Sequence, residues 1–274
     1  MKLLEGKTAI ITGSGRGIGR SVANLFVQHG AGVVINDLDD DVGNQVAAAV
    51  IAEGGHAVAC NGSVTDEKLP DQLINTALEQ FGRLDIIVNN AGYTWDAVVH
   101  NMTDRAWESM LTIHLTAPFR LIRAASSYLR ETAKEEIAKG TRVHRKIINV
   151  SSVSGLTGNA GQVNYSAAKM GVVGMTKALA REWGRFNINV NAVAFGFIET
   201  RLTDAKEKGV RLKIHGDEID IGVPEMAREE FKKLIPLGRP GTPDEAAGPV
   251  LFLASPLSDY VTGTVLTVAG GSYM

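Results

Sequence analysis

The chain contains a single cysteine, Cys60, in 274 residues. That excludes an internal disulfide and every cysteine-based metal framework, and it fits a reducing compartment. Charge of one sign is also missing. Lys and Arg total 28 against 30 Asp and Glu, a formal net charge of −2, so no global field recruits nucleic acid or an anionic membrane. No run approaches the roughly 18 apolar residues that would span a bilayer. The opening "MKLLEGKTAIITGSG" runs into a strand-like stretch without the longer apolar segment of a secretory signal. A soluble, cytoplasmic protein with no nucleic-acid, membrane or metal partner is therefore expected. Internal repeats and Pro- or Ser-rich linkers are absent too, so residues 1–274 are read as one domain.

What is present is apolar material in short runs. Hydrophobic residues make up 45% and mean hydropathy is +0.02, enough for a sizeable core. The runs are "TAIIT" (8–12), "GVVIND" (32–37), "HAVAC" (56–60), "LDIIVNN" (84–90), "KIINVSS" (146–152), "NINVNAV" (187–193) and "TVLTVAG" (264–270). Most are apolar on successive residues, as in strands buried on both faces of a parallel sheet. Helix-length stretches that close on glycine lie between them. Strand–helix alternation predicts a doubly wound, Rossmann-like α/β fold. The charge-dense 130–146 reads as a helix extending beyond the sheet. The long, polar stretch 200–245, poor in strand signal, reads as a helical lid over the substrate, at approximately 200–240.

The first strand leads into "TGSGRGIGRSVANLF", with Gly13, Gly17 and Gly19 before a helix. Such a turn lets backbone approach a pyrophosphate while a helix N-terminus faces the negative charge. Ser14, Arg16 and Ile18 lie in the same turn. Eighteen residues after Gly19, Asp37 stands at the end of the second strand, where an acid accepts hydrogen bonds from adenosine ribose hydroxyls. Its charge would repel a 2′-phosphate, so NAD is the expected cofactor. NADP stays possible because the Arg16 guanidinium could hold a phosphate. Asp39 to Asp41 read as a solvated helix N-cap.

In "GNAGQVNYSAAKMG" (158–171), Tyr165 and Lys169 are four apart and share one helix face among small neighbours. Together with "TGSGRGIG" (12–19), "NNAG" (89–92) and Ser152, this pair resembles the short-chain dehydrogenase/reductase family over essentially the whole chain. The resemblance implies a seven-stranded parallel sheet, a nicotinamide dinucleotide, and hydride transfer at a carbon bearing oxygen. It makes Tyr165 the general acid/base and has Lys169 bind the nicotinamide ribose. Ser152, thirteen residues before Tyr165, holds the substrate oxygen, with Ser151 as its rival. Asn90 braces the sheet while Ala91 and Gly92 admit cofactor to the backbone. Thr200, in "FGFIETRL", matches the hydroxyl that contacts the cofactor's carboxamide or pyrophosphate side, and Ile198 beside it is counted among the cofactor-binding residues. A free phenol, with pKa near ~10, is a poor base at neutral pH. The neighbouring ammonium and the positive nicotinamide are expected to bring it down.

Three positions depart from the family pattern. His114, in "TIHLTAPF", stands where an asparagine is usual, and is expected to relay protons between the lysine and solvent. Phe195 replaces a proline, and Ser63 in "CNGSV" replaces an adenine-contacting acid. "VVINDLD", the histidine of "IHL" and "GNAGQVNYSAAK" are similar to (3R)-hydroxyacyl-CoA dehydrogenase domains of multifunctional enzymes. "GNAGQVNYSAAK" and "TVLTVAGG" resemble 3-oxoacyl-[acyl-carrier-protein] reductases. Both groups imply a 3-hydroxyacyl/3-oxoacyl thioester on CoA or carrier protein as substrate, and family habit implies a homotetramer. The alternatives are a free secondary alcohol, polyol or steroid as substrate, or a non-catalytic cofactor-binding subunit.

Overall fold

Successive residues of each central strand point to opposite sides, and both sides are covered. Ala9, Ile11, Val33, Ile35, Val88 and Ile148 pack into one apolar cluster with Phe26 and Val250. Their neighbours Ile10, Val34, Ile87 and Ile147 join a second cluster with Leu73, Leu121, Leu129 and Trp183. That is why the strand runs are continuously apolar rather than alternating.

The computed structural model describes residues 2–214 and 216–273; Met1, Met274 and His215 of the expected lid lie outside the described residues. The order is β1 (Thr8–Thr12), α1 (Gly17–Gln28), β2 (Gly32–Asn36), α2 (Asp40–Ala52), β3 (His56–Ala59), α3 (Leu69–Phe81), β4 (Ile86–Asn89), α4 (Asp104–Leu111) and α5 (Ala117–Ala138). It continues with β5 (Arg145–Ser152), α6 (Val153–Thr157), α7 (Val163–Trp183), β6 (Ile188–Phe195), β7 (Arg211–Ile214), β8 (Asp217–Asp220), α8 (Glu225–Lys233), α9 (Pro243–Ala254) and β9 (Val265–Val268). Local chemistry sets several boundaries. Thr103 caps α4, Asp39 caps α2 with Asp40 and Asp41 in its first turn, and a Thr242/Glu245 capping box opens α9.

Among the described residues, seven strands form one parallel sheet in the order β3-β2-β1-β4-β5-β6-β9. The strand order reverses between β1 and β4, which opens a crevice beyond their carboxyl ends, the place where doubly wound sheets bind ligands. β5 and β6 pair from Arg145↔Ile188 to Ser152↔Phe195, so Ser152 and Phe195 finish side by side at that edge.

The lid departs from the helical reading. β7 and β8 form an antiparallel hairpin, and helix is confined to α8 and a short 3-10 turn at Lys206–Lys208 among the described residues. Leu212 and Ile214 alternate with Arg211 and Lys213, a period-2 pattern too short to stand out in so charged a stretch. The hairpin gains its stability from outside: Ile214 and Ile219 pack against Tyr93, Met110 and Ile113.

Candidate active site

A cleft of about 930 Å³ runs along the carboxyl ends of the strands, within the range of small-molecule sites. At one end is the glycine turn. Gly13 and Gly17 have φ of 63° and 53°, a region that L side chains rarely adopt. A Cβ on Gly13 would lie 2.8 Å from Ala91 Cα, and one on Gly19 would lie 2.2 Å from Gly13 O. The backbone is thus packed as closely as the turn needs. Asn90 Nδ2 donates to Thr12 O at 2.9 Å and Gly13 O at 3.0 Å, bracing the turn from the neighbouring strand.

Helix α1 begins here without a side-chain cap and without an acid in its first turn. Its leading N–H groups therefore face the cleft with their partial positive charge uncompensated. Asp37 follows β2; its carboxylate accepts from Gly15 N at 3.1 Å and Asp39 N at 3.1 Å, which fixes it at the cleft wall. Arg16 pairs with Asp39 at 2.9 Å, and that bond holds the Asp39 carboxyl below its ordinary value. Ser14 is placed differently from its neighbours. It is fully buried, its hydroxyl donates to Ile11 O at 2.8 Å, and it does not line the cleft. It ties β1 to β2. Ser63 lines the wall beside Asp37, with its hydroxyl bonded to Thr65 at 2.7 Å.

At the other end, Ser152, Tyr165 and Lys169 converge. The Ser152 hydroxyl accepts from Ser154 N at 3.1 Å and stands near enough to the Tyr165 phenol to favour its ionised form. Its rival Ser151 is buried and also lines the cleft, but its hydroxyl is committed to Lys169 O, to which it donates at 2.9 Å. Lys169 Nζ donates to Val150 O at 2.7 Å and lies 5.6 Å from the Tyr165 ring centroid. The bare Gly155 permits this packing: a Cβ there would come within 2.8 Å of Lys169 Cβ. Asn164, not singled out from the sequence, holds Tyr165 in place. Its Nδ2 donates to Trp95 O at 3.0 Å and Ala106 O at 3.1 Å, and its Oδ1 accepts from Tyr165 N at 2.8 Å.

Burial pushes the Tyr165 phenol up to about 12, outweighing the influence of Ser152, and drives Lys169 down to about 7. Desolvation disfavours both charged forms, so the ammonium does not by itself acidify the phenol. A protonated tyrosine is a ready proton donor at neutral pH.

His114 lies in a π-helical turn at Thr112–Thr116, between α4 and α5, a distortion frequent at functional sites. It is fully buried, and its ring meets the Tyr165 ring edge to face with centroids 4.9 Å apart. Nε2 lies 2.7 Å from Tyr93 O; a carbonyl only accepts, so Nε2 carries the proton and Nδ1 a lone pair. Nδ1 has no hydrogen-bond partner among the described residues. Burial, then the nearby Lys169, holds the imidazole well below its ordinary pKa. A Cβ on Gly92 would lie 2.2 Å from His114 Cε1, so Gly92 leaves the room in which the ring sits.

Phe195 lines this end, together with Phe197, Leu202, Leu212, Ile214 and Phe231. Only Phe195 among them was foreseen. Thr200 and Ile198 also line the cleft, and Thr200 Cγ2 is 3.6 Å from where a Gly17 Cβ would stand, on the glycine-turn side. Among the described residues no cluster could hold a metal ion, and no helix is long and apolar enough to cross a membrane.

The family model described as enoyl-(acyl carrier protein) reductase matches residues 13–273. The 3-oxoacyl-[acyl-carrier-protein] reductase FabG of Vibrio harveyi is 40% identical over 271 residues, covering 99% of each chain. The enzyme of the same name from Thermotoga maritima is 38% identical over 270 residues, covering 98% of each. A solved 7α-hydroxysteroid dehydrogenase, complexed with NADH and 7-oxo glycochenodeoxycholic acid, aligns with a TM-score of 0.85 at 28% identity. That alignment covers 98% of this chain and 95% of the other.

Proposed function

Because this chain belongs to the short-chain dehydrogenase/reductase family and is an NAD(P)-dependent oxidoreductase, we propose that it interconverts 3-oxoacyl and 3-hydroxyacyl thioesters as a single catalytic domain. The observation that carries this is that Ser152 and Tyr165 both line the cleft, where each hydroxyl can donate to one carbonyl oxygen. The full-length relatives named for 3-oxoacyl reduction supply the substrate class.

Close backbone packing and an uncapped helix start support a dinucleotide at the glycine turn. Gly13, Gly17, Ile18, Gly19 and Thr200 would hold the pyrophosphate, Asp37 the adenosine ribose, and Asn90 to Gly92 the crossing. Nicotinamide, when bound, supplies or accepts the hydride. In reduction, Ser152 orients the substrate oxygen and Tyr165 gives its proton to that oxygen. Lys169 binds the ribose and, near half-charged at neutral pH, can return a proton towards Tyr165. His114 Nδ1 can only accept, which fits a water-linked step rather than a charged relay. In oxidation the direction reverses, with Tyr165 taking the hydroxyl proton. Phe197, Leu212, Ile214 and Phe231 would line the acyl chain.

NAD is the preferred cofactor in this reading. Asp37 is fixed at the wall, and Arg16, the residue that would favour NADP, is already paired to Asp39. Asp37→Ala should weaken NAD⁺ binding about tenfold and narrow its advantage over NADP⁺, as read by titration calorimetry. A homotetramer and a cytoplasmic location complete the reading, to be checked by light scattering and fractionation.

The test is a panel of acetoacetyl-CoA, its acyl-carrier-protein counterpart, crotonyl-CoA and a 7-oxo bile acid against both reduced nicotinamides. Turnover of the 3-oxoacyl thioesters supports the proposal. Turnover of crotonyl-CoA alone would mean an enoyl reductase, and turnover of the bile acid alone a steroid enzyme. A protein that binds dinucleotide yet turns over none would be the non-catalytic subunit.

A further inference from the structure

Arg201 stands in an unusual place for its position in the chain. It follows β6, which lies four places from β2 in the sheet, about 19 Å at the usual strand spacing. Yet Arg16, Asp37 and Asp39, all on the β1–β2 side, act on its charge. Thr200, its neighbour, sits against Gly17, 3.6 Å from the position of a Cβ there. The six residues after β6 therefore cross back over the glycine turn, and Arg201 lines the cleft with Gly13, Arg16, Gly17 and Asp37.

The Arg201 guanidinium has no ion pair or hydrogen bond among the described residues, whereas Arg16 has Asp39. Arg201 is exposed at the cleft wall; what burial it has, and then Arg16, lower its pKa, while the carboxylates of Asp37 and Asp39 act the other way. The uncapped start of α1 adds positive potential to the same spot. Arg201 and the N-terminus of α1 thus place positive potential on the same turn, which favours an anion there. Asp37 occupies the position that a 2′-phosphate would need, which leaves the pyrophosphate.

We propose that Arg201 is a pyrophosphate clamp, carried across the crevice by the start of the lid onto the dinucleotide held in the glycine turn. The proposal rests on the dinucleotide reading above. It also links cofactor and lid: the residue that would grip the pyrophosphate begins the segment whose hairpin covers the substrate end.

Titration calorimetry with NAD⁺, NADP⁺ and ADP-ribose tests it without reference to turnover. Arg201→Met should weaken all three by a common factor of roughly ten to thirty at low salt, with Arg201→Lys intermediate. The loss should shrink as salt rises, since screening removes what the charge contributed. Arg201→Gln, checked by melting temperature, serves if the Met variant does not fold. Unchanged dissociation constants would overturn the clamp while leaving the dinucleotide reading intact. A loss confined to NADP⁺ would overturn it in favour of a 2′-phosphate contact. A wild-type protein that binds none of the three would overturn both.

Discussion

His114 is held by one donated bond and one ring contact, and each has a consequence that can be measured. Its Nε2–H satisfies Tyr93 O in a buried setting. In His114→Leu that carbonyl loses its donor, so stability should fall by about 1–3 kcal/mol in chemical denaturation. In His114→Asn an amide N–H can still donate, and the loss should stay below about 1 kcal/mol. Because burial holds the ring neutral, the charge change of an ordinary histidine between pH 6 and 7 is absent. The pH–rate profiles of wild type and His114→Asn should therefore have the same shape from about pH 5.5 to 8. A limb that vanishes on substitution would mean the ring titrates there after all. The sequence placed His114 beside the chemistry; the tautomer came only from the carbonyl of Tyr93, twenty-one residues away.

At the scale of elements, the hairpin β7–β8 is the least self-sufficient part of the molecule. A two-stranded ribbon is marginal alone, and this one is anchored by Ile214 and Ile219 on Tyr93, Met110 and Ile113. The exposed Arg105–Asp217 pair, at 2.6 Å, adds little by comparison. Ile219→Ala removes buried side chain worth about 2–3 kcal/mol where packing cannot collapse. The loss should appear as local opening: faster hydrogen exchange in Arg211–Asp220 and a severalfold higher KM, with a melting temperature shifted by less than about 2 °C. A melting shift as large as for a main-sheet core residue would show that the lid unfolds with the rest. The sheet strands were legible because burial on both faces leaves continuous apolar runs. The hairpin was not, because only three of its inward residues are apolar, the fourth is Asp217, and its outward residues are charged. Charge-rich segments without a long period read as helix or loop.

For the whole molecule, the buried Tyr165–Lys169 pair shapes stability against pH. Lys169 has a folded pKa of about 7 against 10.5 ordinarily. Between those values the unfolded chain binds a proton that the folded chain refuses, so this site's contribution to stability rises with pH from about 7 to 10.5. Tyr165, held at about 12 against 10, keeps its proton longer when folded, so its contribution falls from pH 10 to 12. Lys169→Met removes the first effect. From pH 7.5 to 9.5, wild type should gain about 1–2 kcal/mol relative to that variant in denaturant titrations. Parallel stability curves would show that Lys169 stays charged in the fold.

The sequence by itself determined the parallel α/β sheet, the glycine turn, the acid after the second strand and the shared helix face of Tyr165 and Lys169. Each of these depends on residues close together in the chain, through apolar runs, a four-residue helical spacing or a glycine turn. Tertiary structure decided the rest: the burial around Tyr165 and Lys169, the Tyr93 carbonyl that receives the His114 Nε2–H, the burial of Ser14 and the hairpin of the lid. Burial and electric field at a point are sums over residues distant in sequence, and no local pattern carries that sum.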